Sequence, residues 1–321
     1  MTEPSVRRTR QRVAGVASLA IALVSIAVVR GILTHPQGTP RSTARGSATP
    51  AMVVGHAHAA YVPAAGDTEP LFILVLGSDA RPGEAVERAR SDAIHIVGID
   101  LRRRRASVID IPRDSWVPIP GHGFDKINAA MAAGGVQRTI QTVEALAGIR
   151  FDYYAITSFP GLKSMVDDIG GLRIQVPYDI HDPTDGGPPI SHGFRILNGE
   201  AALAFARARH FVPGGDFGRT QNQGGMLIAA LNQYRRATAG DPATILSWVG
   251  TFLRNVDTDL TLDELLSLAY AAGQIPPANV NNVPLQGSTG YEGTQSVVHL
   301  SMRSEAVFAD IRSDGVVDDA T

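Results

Sequence analysis

The segment LFILVLGSDAR (residues 71–81) opens with six apolar residues, Leu71 to Leu76, and closes on Gly77, Ser78, Asp79, Ala80 and Arg81. Two similar runs follow, Ala93–Ile99 and Ser107–Ile111, each rich in Val and Ile and bounded by Gly, Pro or charge. Runs of this length and composition predict sheet strands. Beyond them the pattern turns helical over 126–147, with a break at Gly134-Gly135, and strand-like again over Tyr153–Thr157. A helix over Phe159–Asp168, a strand over Leu172–Val176, a long Pro/Gly/Asp-rich loop over 177–195 and helices over Asn198–Arg207 and Asp216–Gln233 come next. Asn198 and Asp216 are read as helix N-caps. A helix over 260–272 and strands over 279–284 and 296–300 complete the pattern, and the last dozen residues are expected to fray. Strands alternate with helices, so the class is α/β or α+β with helices flanking one central sheet.

Upstream, Val13–Val29 contains 17 residues without a charge, extended by Ile32 and Leu33 past Arg30. Four Arg precede it, which predicts a transmembrane anchor over 13–33 with residues 1–12 cytoplasmic and the rest of the chain outside. Residues 34–67, rich in Pro, Gly, Ser, Thr, Ala and His, read as a flexible linker in which His56 and His58 are poor metal ligands. One exported domain over 68–312, with a tail over 313–321, is the simplest division.

The chain has 321 residues, 29 Lys+Arg against 31 Asp+Glu, 33 Gly, 20 Pro, no Cys and 44% hydrophobic residues. Disulfide scaffolds, thiol nucleophiles and cysteine-ligated metals are thereby excluded. Residues 1–33 hold five Arg and one Glu, so the remainder carries a net −6. A mildly acidic body argues against general nucleic-acid binding, and any anion site must be a local cluster.

Such a cluster is visible. The strand ends at Asp79 and Arg81, and at Arg90 and Asp92, offer two carboxylates and two guanidiniums. Paired carboxylates suit Mg²⁺ (or Mn²⁺), which keeps room for water and substrate phosphate. IPRDSW (111–116) adds Arg113 and Asp114 at a third strand end, FDKIN (124–128) adds Lys126 and Asn128, ARARHF (206–211) adds Arg207 and Arg209, and GDFGRTQNQ (215–223) puts Arg219 and Gln223 on one helical face. Converging Arg side chains recognise phosphate because the planar guanidinium grips two oxygens at once. Arg102–Arg105, in contrast, reads as a solvated turn. Phosphate-loop, dinucleotide, zinc-helix and hydrolase-elbow signatures are all missing.

Taken in order, LGSDAR, RSDAI, IPRDSW, DKIN, DDIGGLRI, LNGEAALAFARARH and GDFGRTQNQ resemble the LytR-CpsA-Psr family over essentially the whole exported domain. The resemblance implies an α/β/α domain with a central mixed sheet, an apolar tunnel for a polyprenyl chain and an Arg cluster for its pyrophosphate. The implied activity is transfer of a glycopolymer, arabinogalactan or teichoic-acid-like, from a polyprenyl-pyrophosphate carrier to peptidoglycan at the cytoplasmic membrane. The arabinogalactan expectation rests on an Arg- and Ala-rich composition that suggests a high-GC actinobacterium. Carried over by motif, Asp79 and Asp92 hold Mg²⁺, and Arg81, Arg90, Arg113, Lys126, Arg207, Arg209, Arg219 and Gln223 hold pyrophosphate. Asp92, Arg113 and Arg90 act in catalysis, with Asp92 the candidate base, and Asp114 and Asn128 support them. Family members often show Arg-x-x-Arg-Gln-Gln where this chain has Arg219-Thr220-Gln221-Asn222-Gln223-Gly224. That departure keeps open a non-catalytic lipid-pyrophosphate binding or regulatory protein, and a further alternative is an exported pyrophosphohydrolase of the same lipid with water as acceptor.

Overall fold

A computed structural model describes residues 52–58, 69–81, 84–181, 187–210, 212–239 and 242–318. The expected anchor over 13–33 and most of the expected linker lie outside the described residues; among the described residues no helix is long and apolar enough to cross a membrane. In chain order the strands are β1 (Met52–His56), β2 (Leu71–Ser78), β3 (Ser91–Asp100), β4 (Arg105–Asp110), β5 (Trp116–Ile119), β6 (Gly123–Lys126), β7 (Tyr153–Ser158), β8 (Leu172–Val176), β9 (Gly193–Leu197), β10 (Val256–Thr258), β11 (Val280–Pro284), β12 (Gly287–Glu292) and β13 (Gln295–Leu300). The helices are α1 (Ala129–Ala147), α2 (Phe159–Asp168), α3 (Gly199–Arg207), α4 (Asp216–Thr238), α5 (Pro242–Asn255), α6 (Leu262–Gln274) and α7 (Met302–Asp314).

Seven strands form one mixed sheet in the order β10-β1-β7-β2-β3-β4-β11, with β7 parallel to β2, and β3 antiparallel to both β2 and β4. The uninterrupted apolar run of β2 follows from its place at the centre, where both faces are covered. Phe72, Leu74 and Leu76 pack with Ile140 and Val143 of α1 and Phe308 and Ile311 of α7, while Leu71, Ile73 and Val75 pack on the opposite face with Leu265 of α6. A third cluster joins Val166 of α2, Phe205 of α3, Met226 of α4 and Leu172, Ile174 and Leu197 of the β8–β9 hairpin. The expected break in α1 is real: Gly135 has φ +72°, a left-handed value that glycine adopts without a Cβ clash.

Several expectations need correction. Residues 52–58 are not spacer: β1 inserts between β10 and β7, and its Val53 and Val54 are buried. Its hydrogen-bonding partners lie about one hundred and two hundred residues away, which no local pattern reveals. His56 bonds Glu264 (Nε2 to Oε1, 2.7 Å) and His58 bonds Glu144 (Nε2 to Oε1, 2.6 Å). The C-terminus does not fray through 310–318, because Ile311, Val316 and Val317 are buried and the Val317 N–H donates to Ser107 Oγ at 2.9 Å. The long loop is shorter than expected, since β9 begins at Gly193 and Ile180 bridges Ile190. Asp216 is the first residue of α4 rather than its N-cap, which is Gly215. Asn198 does cap α3, its side chain accepting from the Ala201 N–H; of Arg102–Arg105, the first three lie in a turn as expected, whereas Arg105 opens β4 and pairs with Asp318.

His56 gives the β1–α6 junction a pH dependence. Burial alone would lower its imidazole pKa, but hydrogen bonds to Glu264 and Asp259 and their charges outweigh burial and raise it above 6.5. Burial likewise pushes Glu264 up, and its bonds to His56 and Thr261 bring it below 4.5. The His56 contribution is therefore complete below pH 6.5 and lost as pH rises through the raised folded value, while that of Glu264 is present above pH 4.5 and lost on acidification. His56→Gln is expected to lower the melting temperature by about 2–4 °C near pH 6, for a contribution of about 1 kcal/mol, and by nothing measurable at pH 9. Thermal melts across that range check it.

Candidate active site

Three strand ends meet at one edge of the sheet. The Asp79 carboxylate, just beyond β2, accepts the Arg90 N–H at 2.8 Å, and the Asp79 N–H donates to the Arg90 carbonyl at 3.0 Å, which ties the end of β2 to the start of β3. The register then shifts: Ser78 pairs with Ser91 and Gly77 with Ala93, so Asp92 is the extra residue of a bulge. A bulge re-aims its side chain, and here Asp92 meets Arg113, whose Nη1 donates to Oδ1 at 2.6 Å. Arg113 follows Pro112 in a turn pinned by the Ser115 N–H on the Pro112 carbonyl and by the Asn128 N–H on the Arg113 carbonyl.

The N-terminal turn of α4 supplies the next cation. Arg219 is buried, its Nη2 lying 2.7 Å from Asp216 Oδ1. Burial lowers its pKa, Asp216 opposes that and the nearby Arg113 adds to it, with Asp92 and Arg209 acting as further neighbours. Burial also pulls Arg113 down, but the charge and hydrogen bond of Asp92, with Asp216 and Asp114, more than restore it. Both guanidiniums carry a buried Nε–H with no acceptor among the described residues. Two orphaned cationic donors side by side are what an anion would satisfy, because leaving them unpaired is costly.

Asp79, Arg81, Asp92 and Arg207 line one cavity of 630 Å³ together with Phe159 and Lys163 of α2. The Arg207 guanidinium lies over the Phe159 ring, 5.1 Å from its centroid. Neither Phe159 nor Lys163 was expected from the sequence; their i, i+4 spacing on one helical face, and the presence of only two Lys in the chain, were the available signals. Lys163 pairs with Glu200 at the start of α3. Arg81, Arg90 and Arg209 are exposed, and the Arg90 N–H donates to Asp79. Lys126 stands outside the cavity lining and pairs with Asp114 at 3.3 Å, while Asn128 is buried. Gln223 has spent one amide N–H on the Ala206 carbonyl at 2.9 Å, fastening α4 to α3.

Asn222 is buried, its Oδ1 accepting from the Tyr178 hydroxyl at 3.0 Å while its Nδ2 has no acceptor among the described residues. The glycine two residues on has a steric cause. A Cβ at Gly224 would lie 2.2 Å from Asp110 Oδ1 and 2.3 Å from Asn282 Oδ1, so α4 approaches the sheet closely only without a side chain there. Asp110 is fully buried against His95 (Nδ1 to Oδ1, 2.7 Å) across the β3–β4 ladder; burial pushes its carboxyl up and His95 pulls it down. Gly224→Ala is expected to cost about 1–3 kcal/mol in denaturant unfolding through this overpacking.

Two carboxylates lining one cavity fit Mg²⁺, which takes few protein ligands and completes its shell with water and substrate phosphate. No group of three or more potential metal ligands exists among the described residues, so a metal here depends on that shared coordination. Behind the polar cavity lie two apolar ones, of 280 and 400 Å³, both touching Ala230 of α4 and Trp248 of α5. Leu162, Met165 and Val166 of α2 line the smaller one, so a single helix separates polar and apolar spaces.

The LytR_cpsA_psr family model matches residues 42–310. The Bacillus subtilis polyisoprenyl-teichoic acid–peptidoglycan teichoic acid transferase TagT is 35% identical over 251 residues, 75% of this chain and 74% of that one. The likewise named TagV of Bacillus subtilis (30% identical over 72% of this chain) and TagU of Bacillus mycoides (34% over 63%) are matched over 60% and 64% of their own lengths. Among solved structures, Bacillus subtilis TagV superposes with a TM-score of 0.67 at 28% identity, covering 77% of this chain and 98% of that one. TagT bound to LIIa-WTA does so with a TM-score of 0.64 at 28% identity, covering 78% and 92%.

Proposed function

Because the chain belongs to the LytR_cpsA_psr family, we propose that it transfers a glycopolymer, teichoic-acid-like or arabinogalactan, from a polyprenyl-pyrophosphate carrier to peptidoglycan. The observation that carries this reading is the division of space by α2, with Phe159 and Lys163 on a charged cavity and Leu162, Met165 and Val166 on an apolar one. A prenyl pyrophosphate has the same two parts. The names of TagT, TagU and TagV supply the polymer and acceptor classes.

In this reading the prenyl chain occupies the apolar cavities and the pyrophosphate meets Arg113, Arg219, Arg207 and Arg81. An acceptor sugar hydroxyl attacks the phosphorus that bears the glycopolymer. The bond to the bridging oxygen breaks, prenyl monophosphate leaves, and the hydroxyl proton passes to the Asp92 carboxylate. Mg²⁺ (or Mn²⁺), held by Asp79 and Asp92, would neutralise charge on the phosphates when bound. Arg113 and Arg219, fixed by Asp92 and Asp216, are oriented before substrate arrives, so little reorganisation is needed as charge develops. The N-terminal run over 13–33 anchors the enzyme to the cytoplasmic membrane with this domain outside.

Full-length protein incubated with a short-chain polyprenyl-pyrophosphoryl oligosaccharide and peptidoglycan fragments, with and without Mg²⁺, is expected to give a covalent adduct by mass spectrometry only with the metal. Phosphate release without acceptor would replace the transferase by a pyrophosphohydrolase. Donor binding with no turnover would favour the non-catalytic reading, for which the uncharged Asn222 is the motivating residue.

A further inference from the structure

Just beyond Arg113 the chain enters the β5–β6 hairpin, whose two faces differ. Val117 and Ile119 point inward and are buried in the core cluster shared with α1. Register pairs Trp116 with Lys126 and Pro118 with Phe124, and residues opposed across an antiparallel pair share a face, so these four lie on the outward side. The Trp116 and Phe124 rings are 6.4 Å apart and tilted by 30°, and Phe124 is 64% exposed. Two adjoining aromatic rings with a charged rim are a surface built for contact.

This surface is rigid and continuous with the charged site. The Ser115 N–H and hydroxyl both donate to the Pro112 carbonyl, the Ile127 N–H to the Ser115 carbonyl, and the Val298 N–H of β13 to the Asp114 carbonyl. Lys126 lies 3.3 Å from Asp114, the charge of Asp114 helps to hold the Arg113 guanidinium, and Arg113 donates to Asp92 at 2.6 Å. An unbroken series of contacts therefore runs from Asp92 through Arg113, Asp114 and Lys126 to the two rings. Trp116 is three residues past Arg113, at most about 10 Å along the backbone, within reach of neighbouring sugar rings of one glycan strand.

A pyranose ring has an apolar face of C–H groups and a rim of hydroxyls. The face matches a flat aromatic ring, and the rim matches a donor and an acceptor held side by side, as Lys126 and Asp114 are. A wholly apolar partner on the same rings would strip water from that ion pair and replace it with nothing, whereas sugar hydroxyls take the place of the water.

We propose that the outward face of the β5–β6 hairpin is the acceptor subsite. The glycan strand of peptidoglycan lies across it with one sugar ring on Trp116 and Phe124 and its hydroxyl and acetamido groups on Asp114 and Lys126. A neighbouring hydroxyl of the same strand then reaches Asp92 and Arg113. Lys126, expected on the pyrophosphate, becomes an acceptor residue. The assignment rests on peptidoglycan being the acceptor, as in the proposed function, but binding can be measured without turnover.

The chain contains two Trp, so Trp248→Phe leaves Trp116 as the single indole fluorophore. Full-length Trp248→Phe protein, its fold checked by circular dichroism, is titrated with a soluble peptidoglycan tetrasaccharide, with and without a prenyl pyrophosphate that carries no glycan. A saturable change in Trp116 emission is expected; Phe124→Ala should weaken the midpoint roughly 5–10-fold and Phe124→Tyr should restore it. With Trp248 in place, Phe124→Ala should raise KM for the peptidoglycan fragment by a similar factor and leave kcat and donor affinity within about twofold. Trp116 emission indifferent to the tetrasaccharide in both titrations would overturn the proposal, as would a KM unaltered by Phe124→Ala. Emission that responds to a polyprenyl-pyrophosphoryl oligosaccharide but not to the tetrasaccharide would give the platform to the donor glycan instead, and emission that responds to protein concentration alone would give it to a second copy. Transfer measured alongside separates the two ideas: tetrasaccharide binding at Trp116 without transfer keeps the subsite and removes the transferase reading, and transfer with a silent Trp116 does the reverse.

Discussion

Arg113→Lys is expected to reduce glycopolymer transfer roughly 10²–10³-fold while donor binding changes far less. Lysine keeps the positive charge beside Asp92 and so avoids stranding that carboxylate, and the melting temperature should stay within a few degrees of wild type. What is lost is the planar fork: Arg113 gives Nη1 to Asp92 at 2.6 Å and keeps its Nε–H unpaired, whereas an ammonium cannot hold the carboxylate and two phosphate oxygens in fixed directions. Steady-state kinetics should therefore show the loss in kcat and little change in KM. A substitution that left kcat intact would remove Arg113 from the reacting centre and return the pair to a structural role.

Ala230→Trp is expected to weaken binding of long-chain prenyl donors roughly 10–100-fold and to leave a donor with only a few prenyl carbons nearly unaffected. Ala230 lines both apolar cavities, so one large side chain there fills the space they share. Each buried methylene contributes about 0.8 kcal/mol, and losing room for about two to three of them produces an effect of this size. The check is donor affinity measured against prenyl length for wild type and variant. Parallel curves would mean that the chain does not run between these cavities.

The secondary structure was legible wherever burial is periodic. β2, β3, β4, β7 and β8 and helices α2, α3 and α4 lie where apolar spacing, Asn198 capping and Gly-rich punctuation put them, because each of those signals is local. β1 was not legible: MVVGH sits in a polar, Pro/Gly-rich region, and its hydrogen bonds come from β7 and β10. The buried tail at Val316 and Val317 was hidden for the same reason, being held by Ser107 and Asn281. Within the site, Asp216 looked like a helix cap because an acidic residue at a helix start is usually one, yet it pairs with Arg219. Lys163, given no role by the sequence, lines the charged cavity.

The amino-acid sequence by itself determined the alternation of strands and helices, the family, and the supply of Arg and Asp at strand ends, since these depend on residue identity and short spacings. Only the tertiary structure decided which of those charges meet: Asp92 with Arg113 through a bulge, Arg219 with Asp216, and Lys126 with Asp114 outside the cavity lining, with Arg90 left exposed. It also decided why position 224 is glycine, because Asp110 occupies the space of a Cβ there. The physical reason is common to all of these. A charge is worth little in water and much when desolvated beside a partner, and its partner and burial are set by segments that return from tens to hundreds of residues away.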